Sequence, residues 1–220
     1  MTREATDLQP PYFTATEMPD RDWWVSLWPD PEGLLRRLGI RPGMRVVDLC
    51  CGDGTFTAPL SRLVADGAVI AVDLSAEILE RARQQVAREG RANVRFLLAD
   101  ARQLADLIDE PVDVVFLANT FHGVSDQKGL CAAVRRVLAP GGRLVVLNWH
   151  ALPRAQTPVL GRPRGPSTEL RMSPEATRVA VEPSGFRQVL VTDVGPYHYA
   201  AIFETTKGEG EPAGERNRSS

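Results

Sequence analysis

A short acidic, glycine-rich segment follows an apolar run near residue 50. It reads VVDLCCGDGT over residues 46–55, which predicts a strand, a glycine turn and then a helix. Glycines at such a turn let the backbone approach a ligand closely. The carboxylates of Asp48 and Asp53 would repel a pyrophosphate, and Thr57 stands where a dinucleotide fingerprint has its third glycine. The segment therefore favours S-adenosylmethionine (SAM), which carries an ammonium and a sulfonium, over a nicotinamide dinucleotide.

Polar side chains also end the next three predicted strands. Asp73 ends the second strand, where a carboxylate can accept both ribose hydroxyls, and Asp100 ends the third, where it can accept from the adenine amino group. Asn119 ends the fourth strand, over the methionine half of the ligand. One aspartate at a strand end could simply cap a helix or turn, but four such positions in order favour binding. The predicted cofactor contacts are Asp48, Cys50, Gly52, Asp53, Gly54, Thr55, Asp73, Leu74, Asp100, Ala101 and Asn119.

Strands and helices alternate from residue 44 onwards. Apolar runs predict strands over 45–49, 68–72, 94–98, 112–118 and 143–149, and helical periodicity predicts helices over 55–66, 76–89, 102–109 and 126–138. A further helix begins at Ser173-Pro174, and a hairpin of strands 187–194 and 197–205 follows it. The pattern indicates an α/β fold with a parallel sheet, and the final hairpin is the unusual feature.

These motifs resemble the class I SAM-dependent methyltransferases. DLCCGDG (48–54) is similar to that family's strand-1 loop, VDLS (72–75) and LLADA (97–101) to its next two motifs, and LAPGGRLVV (138–146) to its turn into strand 5. The resemblance spans about residues 40–205 and is strongest to the small-molecule group that includes ubiquinone and menaquinone methyltransferases. It implies a Rossmann-like seven-stranded sheet in the order 3-2-1-4-5-7-6, with strand 7 antiparallel and helices on both faces. Cys50 departs from the glycine that many members have there.

The chain has three histidines, and each lies beside the end of a predicted strand. His122 follows strand 4, His150 follows strand 5 and His198 enters strand 7. These strands are neighbours in the order that the resemblance implies, so all three imidazoles are expected at the ligand edge. They are the predicted catalytic residues, acting in acid/base chemistry or substrate binding. A divalent transition metal on the three imidazoles, or unrelated loop positions, are the alternatives.

Four aromatic residues are predicted to contact the substrate: Trp23, Trp24, Phe121 and Tyr197. In the family that the sequence resembles, the segment before strand 1 often folds over the active site. Aromatic faces there could hold an apolar acceptor or stabilise the sulfonium, and ordinary core packing is the alternative for each tryptophan. Residues 151–172, rich in proline and arginine, are predicted to form a lid loop.

Composition limits the remaining possibilities. The chain has 220 residues, 43% of them hydrophobic, and a net charge of −2, which is typical of a globular protein without a nucleic-acid or membrane surface. Three cysteines without disulfide or metal spacing, and an N-terminus without an apolar signal region, predict a cytoplasmic protein. The predicted units are an N-terminal cap segment (1–39), a SAM-binding domain (40–206) and a disordered tail (207–220). A homodimer is left open.

The sequence as a whole predicts methyl transfer from SAM to a small-molecule acceptor, assisted by a histidine base or a metal. Three alternatives stay open: a metal-dependent SAM enzyme of another reaction type, a NAD-type Rossmann oxidoreductase, and a non-catalytic SAM-binding protein. The missing third glycine counts against the oxidoreductase, and the three histidines count mildly against a protein without catalytic function.

Overall fold

The computed structural model describes residues 18–206, and the outermost parts of the predicted cap segment and the whole predicted tail lie outside that range. The helices are α1 (Arg21–Leu27), α2 (Pro31–Arg37), α3 (Thr57–Leu63), α4 (Ala76–Arg88), α5 (Leu104–Leu107), α6 (Gln127–Val137) and α7 (Pro174–Val181). The strands are β1 (Arg45–Leu49), β2 (Ala68–Asp73), β3 (Val94–Leu98), β4 (Val112–Ala118), β5 (Leu138–Trp149), β6 (Pro158–Val159), β7 (Arg162–Pro163), β8 (Phe186–Val194) and β9 (His198–Thr205).

Seven of these strands form one sheet in the order β3-β2-β1-β4-β5-β9-β8. The first five strands of that order pair in parallel, and β9 runs antiparallel to β5. The fold class, the strand order and the antiparallel last strand are therefore confirmed. The carboxyl ends of β1 to β5 meet at one edge, and the start of β9 lies at that same edge because β9 runs the opposite way.

Helix starts follow the capping chemistry of the sequence. The Asp30 side chain accepts the backbone N–H of Gly33 at 2.8 Å, with Pro31 in the first turn of α2. Ser75 caps α4 and Ser173 caps α7 in the same way. On α4 the residues Leu79, Ala82 and Val86 are buried, which fastens this helix to the sheet.

The two larger hydrophobic clusters cover the two faces of the sheet. One face packs against α1, α2 and α3 through a cluster that contains the tryptophans of α1 and Trp149 of β5. The other face packs against α5, α6 and α7 through a cluster that contains Phe121 and Tyr199. Helices therefore lie on both faces, as predicted.

Three segments differ from the predicted elements. The helix expected over 102–109 is a single 3-10 turn followed by the four-residue α5, because Ile108 turns to an extended conformation. Strand β5 begins at Leu138, which pairs with Val112 before the register shifts. The predicted lid loop contains a two-stranded hairpin, β6–β7.

No helix within residues 18–206 is both long enough and apolar enough to span a lipid bilayer.

Candidate functional site

The loop after β1 is shaped by residues with positive φ. Cys50 has φ +57°, Gly52 φ +57° and Gly54 φ +88°. A Cβ on Gly54 would lie 3.0 Å from Cα of Ala82, so only glycine lets α4 approach the loop this closely. A Cβ on Gly52 would lie 2.7 Å from Sδ of Met18, which places the chain just before α1 directly over the loop.

Asp73 ties the end of β2 to the same loop. One carboxylate oxygen accepts the backbone N–H of Gly52 at 2.9 Å, and the other accepts the N–H of Ser75 at 3.0 Å. Both bonds hold the carboxylate at the edge of the sheet beside the glycine turn. This is the position predicted for the residue that accepts the ribose hydroxyls.

Asp48 is buried at the end of β1. The hydroxyl of Thr57 donates to its carboxylate at 2.6 Å, which joins the strand to the first turn of α3. Burial raises the pKa of Asp48 to about 7; the Thr57 hydrogen bond opposes this change, and the neighbouring Asp73 and Asp53 add to it. Asp48 therefore positions α3 against the end of β1 through Thr57.

Asp53 and Thr55 fasten α1 to the loop. Thr55 donates from both its N–H and its hydroxyl to one Asp53 oxygen, and Trp24 Nε1 donates to the Thr55 hydroxyl at 3.1 Å. Arg21 forms a 3.3 Å ion pair with Asp53. The cofactor contacts predicted for Asp53 and Thr55 stay a prediction, because in this conformation their polar groups hold α1.

The remaining strand ends present their side chains at the same edge. Leu74 follows β2 and is 54% exposed, and Ala101 is half-buried in the turn after β3. Asp100 accepts the backbone N–H of Arg102 at 2.9 Å and pairs with the guanidinium of the same residue. An adenine amino group would therefore share Asp100 with Arg102.

Asn119 lies immediately after β4, beside the loop of β1. It has φ +58°, and its backbone N–H donates to Leu147 at 2.7 Å. Both polar atoms of its side-chain amide are buried without a hydrogen-bond partner. Buried amides without partners are costly, so a ligand that supplies a donor and an acceptor here would stabilise the site. The amide and the three strand-end carboxylates fit SAM, which presents an ammonium, a carboxylate, a ribose diol and an adenine amine.

The three histidines reach the predicted edge but do not form a metal centre. Within the described chain, no group of three or more histidine, cysteine, aspartate or glutamate side chains is arranged to hold a metal ion. The three-histidine metal site is therefore wrong. The physical reason is that each imidazole turns into a different environment.

His198 lies in the core between two indoles. Its ring centroid is 4.7 Å from that of Trp28 and 4.1 Å from that of Trp149, and only 1% of the residue is exposed. Both ring nitrogens are buried without a partner, as is the indole nitrogen of Trp28. Burial, with smaller contributions from His150, Arg171 and His122, lowers the pKa of His198 to about 3. This imidazole is neutral at physiological pH.

His150 and His122 bind different partners. His150 Nε2 lies 3.0 Å from the carboxylate of Asp193 on β8, in a hydrogen bond close to solvent. His122 Nδ1 lies 2.8 Å from the amide oxygen of Asn148 in β5. Burial lowers the pKa of His122, the Asn148 bond opposes that change, and the positive charge of Arg171 adds to it.

The residues predicted to contact the substrate are largely core residues. Phe121 is fully buried in the cluster of the opposite face, and its predicted substrate contact stays a prediction. Trp23 and Trp24 are 6% exposed and pack edge to face, which is the core-packing alternative. Tyr197 stacks on Trp149 with an interplanar angle of 9° and donates its hydroxyl to the carbonyl of Pro158 in the predicted lid loop.

Two residues of this region were not predicted from the sequence. Asn148 is a fully buried amide in an otherwise apolar strand, a signal that the run LVVLNW carries. Arg171 is 7% exposed and donates to the carbonyls of Leu152, Arg164 and Pro166, and its guanidinium lies 4.9 Å from the ring of Trp149. Through these bonds Arg171 organises the segment 152–166, which was predicted to be a lid loop. The sequence carries no signature of this role because it depends on backbone geometry.

The strand order, the glycine loop after β1 and the polar strand ends together define a class I SAM-dependent methyltransferase fold. Comparison with known proteins agrees. Residues 46–142 match a family described as a methyltransferase domain. The structure is similar to that of a SAM-dependent methyltransferase from Aquifex aeolicus, with a TM-score of 0.72, 26% identity, and coverage of 86% of this chain and 100% of that one. The chain thus has the fold of the SAM-dependent methyltransferases, and residues 46–142 match a methyltransferase domain.

Among curated proteins, the chain is similar to C-methyltransferases of ubiquinone and menaquinone biosynthesis. The chain is 39% identical over 113 residues to the ubiquinone/menaquinone biosynthesis C-methyltransferase of Teredinibacter turnerae, which covers 50% of this chain and 45% of that protein. The corresponding protein of Stutzerimonas stutzeri is also 39% identical over 113 residues, covering 50% of this chain and 44% of that protein. The match therefore spans about half the length of these relatives. The structure of the [4+2]-cyclase SpnF shares the fold as well, with a TM-score of 0.64, 19% identity, and coverage of 80% of this chain and 82% of that one.

Proposed function

We propose that the protein transfers the methyl group of SAM to a small-molecule acceptor. The observation that carries this proposal is the row of polar side chains at successive strand ends. Asp48 and Asp73 lie at the ends of β1 and β2, Asp100 lies just after β3, and the unpartnered amide of Asn119 follows β4. Such a row complements one long, cationic nucleoside lying across the edge of the sheet.

The roles of the cofactor residues follow from their chemistry. Asp73 would accept the ribose hydroxyls, Asp100 the adenine amino group, and Asn119 would bind the methionine end. Bound SAM supplies an electrophilic methyl group on a sulfonium, which is activated without any protein group. The protein therefore has to position the acceptor, exclude water and remove a proton.

His122 is the base that we assign to this last task. It follows β4 at the cofactor edge, and its lowered pKa keeps the imidazole neutral and able to accept a proton at neutral pH. The acceptor would give its proton to His122, and the electron pair so released would form the bond to the methyl carbon. Charge balances because the sulfonium becomes a neutral sulfide while the imidazole becomes a cation.

The acceptor that fits these groups is a planar, electron-rich ring carrying a hydroxyl. A ring hydroxyl supplies the proton that His122 would remove. The curated relatives are named as carbon methyltransferases of quinone biosynthesis, which supports the same class. Removing a ring hydroxyl proton raises the electron density at the neighbouring carbons, so one base serves oxygen or carbon transfer.

Two measurements test this function. Calorimetry should show stoichiometric SAM binding, and labelled SAM should transfer its methyl group to a member of a panel of phenols and hydroquinones, with thiols and amines as comparison acceptors. Loss of transfer in His122→Gln with unchanged SAM affinity would support the assigned base. Absence of SAM binding would overturn the proposal. Binding without transfer to any acceptor would instead favour a non-methylating role, as the shared fold of a cyclase shows that fold alone does not fix the reaction.

A further inference from the structure

A chain of buried polar side chains leads from α7 through β9 and β5 to His122. The oxygens of Thr177 and Tyr199 lie 2.6 Å apart, and Asn148 Oδ1 lies 2.8 Å from His122 Nδ1. Asn148 and Tyr199 face each other across the β5–β9 pair, and Thr177, Tyr199 and Asn148 are each fully buried. The proposed function uses His122 but gives no reason for the other three.

The hydrogen-bond direction along this chain is set at its α7 end. The hydroxyl of Tyr199 donates to the backbone carbonyl of Ser173 at 3.3 Å, and a carbonyl can only accept. With the phenol proton used there, the 2.6 Å contact with Thr177 has Thr177 as the donor. The Tyr199 oxygen therefore presents a lone pair, and not a proton, towards β5.

This arrangement fixes the orientation of the Asn148 amide. The NH2 group has to face the lone pair of Tyr199, since a reversed amide would bring two acceptors together. Burial raises the pKa of Tyr199. Hydrogen bonds from Thr177 and Asn148 lower this pKa, which is the effect of donors to a phenol oxygen. Asn148 Nδ2 has no partner at normal hydrogen-bond length, so its contact with Tyr199 is a longer one. The amide oxygen consequently faces His122.

An amide oxygen only accepts, so His122 Nδ1 is the atom that carries the hydrogen in the neutral ring. We infer that Asn148 is a positioning residue, which holds His122 as the Nδ1–H tautomer and makes Nε2 the atom that accepts a proton. The catalytic consequence rests on the proposed role of His122 as a base, whereas the tautomer can be measured without any acceptor.

The choice of an amide at this position also sets the pH range of the base. Within the described chain, Arg171 and His198 are charged or titratable groups that act on His122. An aspartate in place of Asn148 would still accept the Nδ1–H, but its negative charge would stabilise the imidazolium. A neutral asparagine therefore orients the ring while leaving it unprotonated at neutral pH.

Nitrogen NMR of the full chain tests the tautomer directly. The chain has only three histidines, so ¹⁵N-labelled protein gives three imidazole patterns, and His122→Gln identifies the one of interest. The expected pattern at pH 8 is a protonated Nδ1 and an unprotonated Nε2. A protonated Nε2 in the unaltered protein would overturn the inference, and this measurement needs no variant of Asn148 to fold.

Three variants separate positioning from packing. Asn148→Leu should leave His122 without a fixed tautomer and lower kcat about 10-fold to 100-fold at unchanged SAM affinity. Asn148→Asp should keep the Nδ1–H pattern, recover part of the rate, and move the acidic limb of the pH–rate profile to higher pH. Thr177→Val disturbs the same core without touching the Asn148–His122 bond, so it should keep the Nδ1–H pattern.

The outcomes distinguish this inference from the proposed function. If the protein does not bind SAM but His122 has the expected tautomer, the proposed function is rejected and the positioning role of Asn148 is supported. Normal methyl transfer in Asn148→Leu, or the same rate loss in Asn148→Asp without a shift of the pH profile, would reject the positioning role and keep the function.

Discussion

The carboxylate of Asp73 accepts the backbone N–H of Gly52 at 2.9 Å, so the end of β2 locks the glycine turn that follows β1. The same carboxylate accepts the N–H of Ser75 at the start of α4. One side chain therefore connects three elements of the candidate cofactor site. A ribose diol at this position would bind to a carboxylate that the protein has already oriented.

Replacing Asp73 should therefore weaken SAM binding strongly. Asp73→Ala removes the bond to Gly52 and the proposed partner of the ribose, and we expect at least a 10-fold increase in the dissociation constant, since hydrogen bonds to charged groups contribute about 1.5–3 kcal/mol. Calorimetry measures this directly. Asp66→Ala, at an exposed aspartate between α3 and β2, is the matched control and should bind SAM normally. Equal SAM affinities for the two variants would show that Asp73 does not bind the cofactor.

The sequence predicted positions along the strands better than it predicted directions of side chains. The strand ends, the sheet order and the edge that gathers the histidines followed from the alternation of elements and the resemblance. Which face a side chain enters depends on the register of β5 with β9, where Asn148 pairs with Tyr199 and Trp149 with His198. Neighbouring residues of a strand point to opposite faces, so His198 joins the tryptophans while Asn148 lies with Tyr199 and binds His122. Register is a tertiary property, and the expectation of one three-histidine centre failed for that reason.

Asp48 should make the protein less stable as the pH rises. Its pKa is about 7 in the folded protein and about 4 in an unfolded chain, so between these values the folded state binds more protons. The free energy of unfolding therefore falls across this range, by up to about 4 kcal/mol from this group. Asp48→Asn keeps an acceptor for Thr57 and should abolish that loss. Urea unfolding of the SAM-free protein from pH 4 to 8 measures it, and an unchanged pH dependence in the variant would show that Asp48 is ionised at low cost.

His198 should make the protein less stable as the pH falls. Its pKa is about 3 in the folded protein and about 6.5 when unfolded, so the unfolded chain binds the extra proton between these values. Stability is lost as the pH falls below about 6.5, by up to about 5 kcal/mol from this group. His198→Phe keeps an aromatic ring between Trp28 and Trp149 and removes the unpartnered nitrogens. The variant should resist acid unfolding better than the parent protein; equal acid midpoints would contradict the burial of a neutral imidazole.

Gly54 offers a test of why the loop after β1 needs glycine. It has φ +88°, and an added Cβ would lie 3.0 Å from the backbone of Ala82 in α4. Gly90 has φ +64° with open space around it, so Gly90→Ala measures the conformational cost alone, about 1–2 kcal/mol. Gly54→Ala carries the same cost and also pushes α4 away from the loop. We expect it to be less stable than Gly90→Ala and to bind SAM more weakly, since the displaced loop also holds Gly52 against Asp73. Thermal unfolding and calorimetry of both variants give the two quantities, and equal destabilisation with unchanged SAM affinity would show that the close approach of α4 has no part in forming the site.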